Sequence, residues 1–95
     1  MDFAAFEASL SGDAPPAELS QALAGLWWDG KGDWARAHDC AQAQDDAAGS
    51  AVHAYLHRKE GDMSNAAGWY ARAGRTMPSV PLDDEWATLV AELAG

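Results

Sequence analysis

A short pattern occurs twice in this 95-residue chain. The run Gly32–Ala37 (GDWARA) returns as Gly61–Ala66 (GDMSNA), and the offset between the copies is 29 residues, glycine to glycine and alanine to alanine. Each copy follows one apolar stretch of helical character and opens another. Such a repeat is typical of stacked helical hairpins, in which each unit buries its apolar face against the next. The pattern therefore predicts two helix–turn–helix units.

Apolar residues at helical spacing predict six helices along the chain. We expect them at Asp2–Leu10, Ala17–Gly30, Trp34–Gln44, Ala47–Glu60, Met63–Gly74 and Leu82–Leu93. Alanine-rich segments with few β-branched residues favour helix over strand. The sequence thus predicts an all-α fold, a five- or six-helix bundle that forms a single domain over residues 1–95, with the acidic first and last helices as caps of the stack.

Glycine, aspartate and proline predict where the helices start and stop. We expect Gly32 and Gly61 to turn the chain with positive φ, a conformation that glycine adopts without strain. Asp33 is the expected N-cap of the third helix. For the second helix we expect Asp13 as N-cap, with Pro15-Pro16 in the entry, where a missing N–H costs little.

The charge distribution excludes some classes of partner. The formal net charge is −9, and all six basic residues lie between Lys31 and Arg75, so both ends of the chain are acidic. Nucleic acid and anionic membranes both require a basic face. No apolar run approaches the roughly 20 residues that span a bilayer. We therefore expect neither a nucleic-acid nor a membrane partner.

The start of the chain and its cysteine content point to a reducing compartment. Cys40 is a single cysteine and has no partner for an internal disulfide. The segment Met1-Asp2-Phe3 is acidic and lacks the basic n-region of a signal peptide. We therefore expect a cytoplasmic protein.

The doubled unit resembles the tetratricopeptide repeat, a helix pair with glycine at the turn, an aromatic residue two positions on and a small residue three further. The matching residues are Gly25, Trp28, Gly32, Trp34 and Ala37 in the first copy and Gly61, Ala66, Tyr70, Ala73 and Pro78 in the second. The resemblance covers roughly residues 19–78 and implies two antiparallel hairpins. The offset is shorter than that family's repeat of about 34 residues, and Met63 replaces the second aromatic.

Longer stretches, among them Leu26-Trp27-Trp28, His53–Arg58 and Arg72-Ala73-Gly74, also resemble a family of short bacterial proteins without an assigned biochemical role. This second resemblance implies a fold and supplies no catalytic residues.

The repeat resemblance implies a function as an interaction or adaptor module. Modules of that family bind peptides or partner helices on the face formed by the first helix of each hairpin. In this chain that face is predicted to contain Trp28, Lys31, His53, His57 and Arg58. Its aromatic and basic character favours a protein or peptide partner with acidic groups. Exposed apolar residues of the end helices could also form a homodimer contact.

The alternative is a small-molecule or transition-metal site, possibly enzymatic. His53, His57 and Glu60 occur at i, i+4 and i+7 and share one helical stripe, which suits a metal ion with two imidazoles and one carboxylate. The same spacing also fits a polar helix face. Trp34 and His38, again four residues apart, form either a packing contact between hairpins or the wall of a pocket.

Catalytic and cofactor signatures are weak. Cys40 and His38 are two residues apart on a helix and diverge, so they do not form a local nucleophile–base pair. The glycines lack the spacing of a phosphate-binding loop. We expect no cofactor and no catalytic residues.

The two copies of the repeat differ at positions where packing alone does not dictate the residue. Trp34 corresponds to Met63, Trp28 to His57 and His38 to Ala67. Our hypothesis is that functional residues occur at these differences.

Overall fold

The computed structural model describes residues 1–94, which form six α-helices. Their bounds are α1 Phe3–Ser9, α2 Gln21–Gly30, α3 Trp34–Ala43, α4 Ala47–Glu60, α5 Met63–Arg72 and α6 Leu82–Ala94. The predicted all-α bundle is confirmed. Five of the predicted helices agree with these bounds to within two residues at each end, and α4 agrees at both ends.

The start of α2 differs from the prediction. The helix begins at Gln21, four residues later than expected, and Ser20 is its N-cap. The backbone of Ser20 is extended, and its hydroxyl oxygen accepts a hydrogen bond from the Leu23 N–H at 3.2 Å. The prediction of Asp13 as N-cap was wrong because the proline-containing segment forms a turn of its own, in which the Leu19 N–H donates to the Pro16 carbonyl.

Two glycine turns close two helical hairpins, α2 with α3 and α4 with α5. Gly32 and Gly61 have φ of +82° and +88°, as predicted, in the left-handed region that glycine adopts readily. Asp33 caps α3 by accepting a hydrogen bond from the Arg36 N–H at 3.0 Å. Asp46 caps α4 in the same way. Short links between capped helices bring each pair into contact.

Helix α4 is the centre of the bundle. Its nine consecutive residues Gly49–His57 are buried, because α2, α3, α5 and α6 all pack against it. The side chains of His53, Tyr55 and His57 in this segment have partners on other helices; the Tyr55 hydroxyl, for example, donates to buried Asp29 at 2.6 Å. In the part of the chain that the structure describes, every buried side-chain nitrogen or oxygen atom has a hydrogen-bond partner.

Helix α6 packs across α1, α2 and α4. The Trp86 indole N–H donates to the Leu26 carbonyl at 3.0 Å, and the rings of Phe3 and Phe6 lie about 6 Å from that of Trp86. Close aromatic pairs of this kind contribute on the order of 1 kcal/mol beyond the area that they bury. Trp86 therefore fixes the first and last helices against α2.

A buried carboxylate links α6 to α4 and α5. Glu85 accepts one hydrogen bond from the Arg58 guanidinium at 2.8 Å and another from the Tyr70 hydroxyl at 2.5 Å. Arg58 also donates to the Val80 carbonyl. Burial, together with the bond to Glu85, raises the pKa of Tyr70. Arg58 is thus a structural cation whose side chain is about 11% exposed.

We expect Glu85→Ala to lower the free energy of unfolding by about 3 kcal/mol, because it leaves the buried Arg58 guanidinium without its counter-charge. The matched control is Glu92→Ala, which removes a carboxylate paired with Arg75 at the surface and should cost less than about 1 kcal/mol. Urea denaturation of both variants measures the difference. Equal losses would show that the Glu85 pair contributes no more than a surface pair.

Replacement of two helical glycines by alanine should change the free energy of unfolding in opposite directions. A Cβ atom on Gly49 would lie 1.8 Å from the Gln44 carbonyl oxygen, so Gly49→Ala must displace the start of α4 and destabilise the fold. A Cβ atom on Gly68, inside α5, would meet no atom within 4 Å. Gly68→Ala should therefore raise the free energy of unfolding by roughly 0.5–1 kcal/mol. Thermal melts of the pair test both signs.

Candidate functional site

All three histidines of the chain meet between α3 and α4. His38 lies on α3, and His53 and His57 lie on α4; one ring nitrogen from each falls within 4.8 Å of the other two. The Nε2 atoms of His38 and His53 are 2.9 Å apart, which is hydrogen-bond distance. We call these three residues the histidine cluster.

The helices place these side chains for simple geometric reasons. His53 and His57 are one turn apart on α4 and therefore share the face that α3 covers. Ala37 and Ala41 of α3 are fully buried, and at these positions α3 lies close against Gly25 of α2 and Gly49 of α4. His38 follows directly after Ala37 and is half-buried at the edge of that contact.

Two tryptophans flank the histidine cluster. Trp34 stacks on His38 with 5.0 Å between ring centroids, and its indole N–H donates to the Leu56 carbonyl at 3.0 Å. Trp69 of α5 stacks on His53 at 3.9 Å. The Arg72 guanidinium lies over the Trp69 ring, 4.5 Å from the ring centroid. The imidazoles are therefore held in fixed orientations between aromatic rings.

Burial and neighbouring charge keep His53 neutral. The residue is only 4% exposed, and this burial, followed by the charges of His38, His57 and Arg72, lowers its pKa from 6.5 to about 4. A neutral imidazole has one N–H donor and one free lone pair. In the contact between His38 and His53, one ring therefore donates and the other accepts.

His57 has a polar partner at each ring nitrogen. Its Nδ1 atom is 3.1 Å from Oε1 of Glu60, and its Nε2 atom is 3.4 Å from the Asn65 side-chain nitrogen. That Asn65 nitrogen also donates to Asp62 at 3.3 Å. His57, Glu60 and Asp62 form a second group whose ligand atoms lie within 4.8 Å of one another, but its two carboxylates are exposed.

The structure brings together some of the predicted site residues and separates others. Trp34 and His38 do lie beside the α4 histidines, as the pocket alternative required. Three residues of the predicted interaction face have other contacts. Lys31 donates to the Leu10 carbonyl, Trp28 lies under the Arg36 guanidinium, and Arg58 binds Glu85.

Sequence reasoning missed two residues of the site, Asn65 and Trp69. They are four positions apart on α5, on the side that contacts the α4 histidines. The i, i+4 spacing of a polar and an aromatic residue was the available signal.

Comparison of the chain with protein-family models, curated protein sequences and solved structures gives no match. The resemblances to tetratricopeptide repeats and to short bacterial proteins therefore stay predictions. Within residues 1–94, no helix combines the length and the apolar character needed to cross a membrane.

The lowered pKa of His53 makes stability depend on pH. Between pH 6.5 and pH 4 the unfolded chain binds a proton at this histidine that the folded chain does not, so stability falls as the pH falls through that window. At about 1.4 kcal/mol for each pKa unit, the loss is on the order of 3 kcal/mol. His53→Leu should flatten the pH profile of urea midpoints between pH 4 and 6.5; an unchanged slope would contradict the assignment.

Proposed function

We propose that this protein binds a divalent transition-metal ion through His38, His53 and His57. The observation that supports the proposal is the convergence of every histidine in the chain on one point, with ring nitrogens within 4.8 Å. Histidines that serve only as surface polar residues would not be expected to lie together. Three imidazoles from two helices form a donor set that proteins use for metal ions.

The spacing of the ring nitrogens suits a tetrahedral ion. Zinc–nitrogen bonds of about 2.0–2.1 Å place tetrahedral ligand nitrogens roughly 3.3 Å apart. In the histidine cluster the His38 and His53 nitrogens are 2.9 Å apart, and no pair exceeds 4.8 Å. Sub-ångström to ångström-scale movements of the rings would bring all three into range. Half-buried His38, on the edge of the cluster, is the ring with the most room to move.

The chemistry of the donor atoms limits which metal ions suit the site. Neutral imidazole suits Zn²⁺, Cu²⁺, Ni²⁺ and Fe²⁺, whereas Ca²⁺ and Mg²⁺ prefer oxygen ligands. The stacked rings of Trp34 and Trp69 exclude water from two sides of the cluster and restrain the imidazoles. Three protein ligands leave one tetrahedral position for water or an exogenous ligand.

We expect the protein, freed of metal with a chelator, to bind one Zn²⁺ per chain in isothermal titration calorimetry. At a free metal concentration of 100 times Kd, binding adds about 2.7 kcal/mol to stability. For a domain of this size that corresponds to a rise in Tm of roughly 10–20 °C. Ca²⁺ at the same concentration should leave Tm unchanged. Absence of any shift with zinc, nickel and cobalt would overturn the proposal.

Three variants locate the ion. His38→Gln removes the most exposed imidazole and should abolish stoichiometric binding with little effect on the fold. Asp39→Ala removes an exposed carboxylate at the adjacent position and should leave binding intact. Asp62→Asn tests the second group of His57, Glu60 and Asp62. If Asp62→Asn weakens binding and His38→Gln does not, the ion lies in that group and the proposed ligand set is wrong.

The adaptor function with an acidic peptide or protein partner stays a prediction. Three cations or aromatics of its expected face, at positions 28, 31 and 58, are engaged within the fold. The geometry thus supports metal binding better than peptide binding.

A further inference from the structure

The two hydrogen-bond partners of His57 require the same tautomer. Ionised Glu60 only accepts hydrogen bonds, so the Nδ1 atom of His57, 3.1 Å away, must carry the proton. On the other side of the ring, the Asn65 amide nitrogen only donates and therefore faces an Nε2 atom with a free lone pair. A neutral imidazole that is protonated at Nδ1 has its free lone pair at Nε2, so one tautomer satisfies both partners.

The orientation of Asn65 is fixed independently of His57. Its amide nitrogen also donates to Oδ2 of Asp62 at 3.3 Å, and a reversed amide would turn an oxygen toward that carboxylate. The nitrogen is thus the atom that faces His57. The contact of 3.4 Å between Asn65 and Nε2 is long for a hydrogen bond. A metal ion accepts the Nε2 electron pair more strongly and can replace the Asn65 contact.

The geometry points to Glu60 as the residue that positions His57 for metal binding, by holding Nδ1–H and leaving Nε2 as the ligand atom. This inference rests on the proposed function. It gives Glu60 a different role from the direct ligand that the helical spacing suggested. A carboxylate behind a ligating histidine fixes the tautomer, orients the ring and raises its basicity.

The position of Glu60 suits this role. It lies in the last turn of α4, three residues after His57, and its carboxylate is about 36% exposed while the His57 side chain is about 9% exposed. The carboxylate is therefore in contact with solvent while the imidazole is held inside the bundle. Gly61 ends the helix directly afterwards with left-handed backbone angles.

Long-range ¹H–¹⁵N NMR of the metal-free protein at pH 8 tests the hydrogen-bond part of the inference. At that pH an ordinary imidazole is neutral. We expect His57 in the wild type to show a protonated Nδ1 and an unprotonated Nε2. Glu60→Gln keeps an acceptor oxygen and should keep this tautomer, whereas Glu60→Ala should lose it. A protonated Nε2 in the wild type would overturn the inference.

Zinc titration of the same variants tests the metal part. Glu60→Ala should lower the affinity about 10- to 100-fold with the stoichiometry still one ion per chain. Glu60→Gln should lose less, and Glu18→Ala, which removes an exposed carboxylate elsewhere, should bind as the wild type does. Wild-type affinity in Glu60→Ala would overturn the positioning role, and loss of binding in both Glu60 variants would make Glu60 a ligand.

A failure of the proposed function is distinguishable from a failure of this inference. If the wild type binds no zinc, the proposed function and the metal part are overturned together. The tautomer of His57 still decides the hydrogen-bond part, because it is read without metal.

Discussion

The burial of α4 on nearly every side is the constraint on which the rest of the structure depends. A helix surrounded by four others cannot leave a polar side chain without a partner, since an unpaired buried group costs about 1–3 kcal/mol. Helix α4 nevertheless carries two histidines and a tyrosine in its buried stretch. Neighbouring helices must therefore supply the groups that satisfy them. Asp29 of α2 and His38 of α3 are two such groups.

The sequence predicted the helices well where local capping chemistry determined their ends. Asp33 and Gly61 are short-range signals, and the bounds at these residues agree with the structure. The start of α2 was predicted four residues too early, because Asp13 was the expected cap and Ser20 is the cap that the structure shows. The choice between them depends on a turn through Pro16 that no helical periodicity describes.

The sequence predicted two separate parts of the candidate site but not that they meet. Spacing of four residues predicted that His53 and His57 share a face of α4 and that Trp34 and His38 share a face of α3. The meeting of these faces depends on how each helix is rotated within the bundle. Periodicity does not define that rotation for α4, since a helix buried on all sides has no distinct apolar stripe. The contact of Trp69 with His53 likewise depends on how α4 and α5 are rotated in the bundle.

Three of the residues that differ between the two copies of the repeat lie close together in the structure. Trp34, His38 and His57, each chosen because it differs from its counterpart, lie within about 6 Å of one another by ring centroid. The capping aspartates differ as well. Asp33 bonds to the backbone of its helix, whereas Asp62 makes no such bond and its carboxylate accepts from Asn65 instead. The aspartate of the first copy thus caps its helix, while that of the second copy binds Asn65, which faces His57.

The contact between α1 and α6 has a consequence for the order of folding. The hairpins close links of two or three residues, whereas the rings of Phe3 and Trp86 come from opposite ends of the chain. Loop closure costs more entropy as the loop lengthens, and non-local contacts form slowly. Once the hairpins have formed, however, the remaining search is short, because α1 and α6 dock on a surface that is already assembled. Docking of the end helices is then the non-local step of assembly, and it brings Trp86 against Phe3, Phe6 and the Leu26 carbonyl.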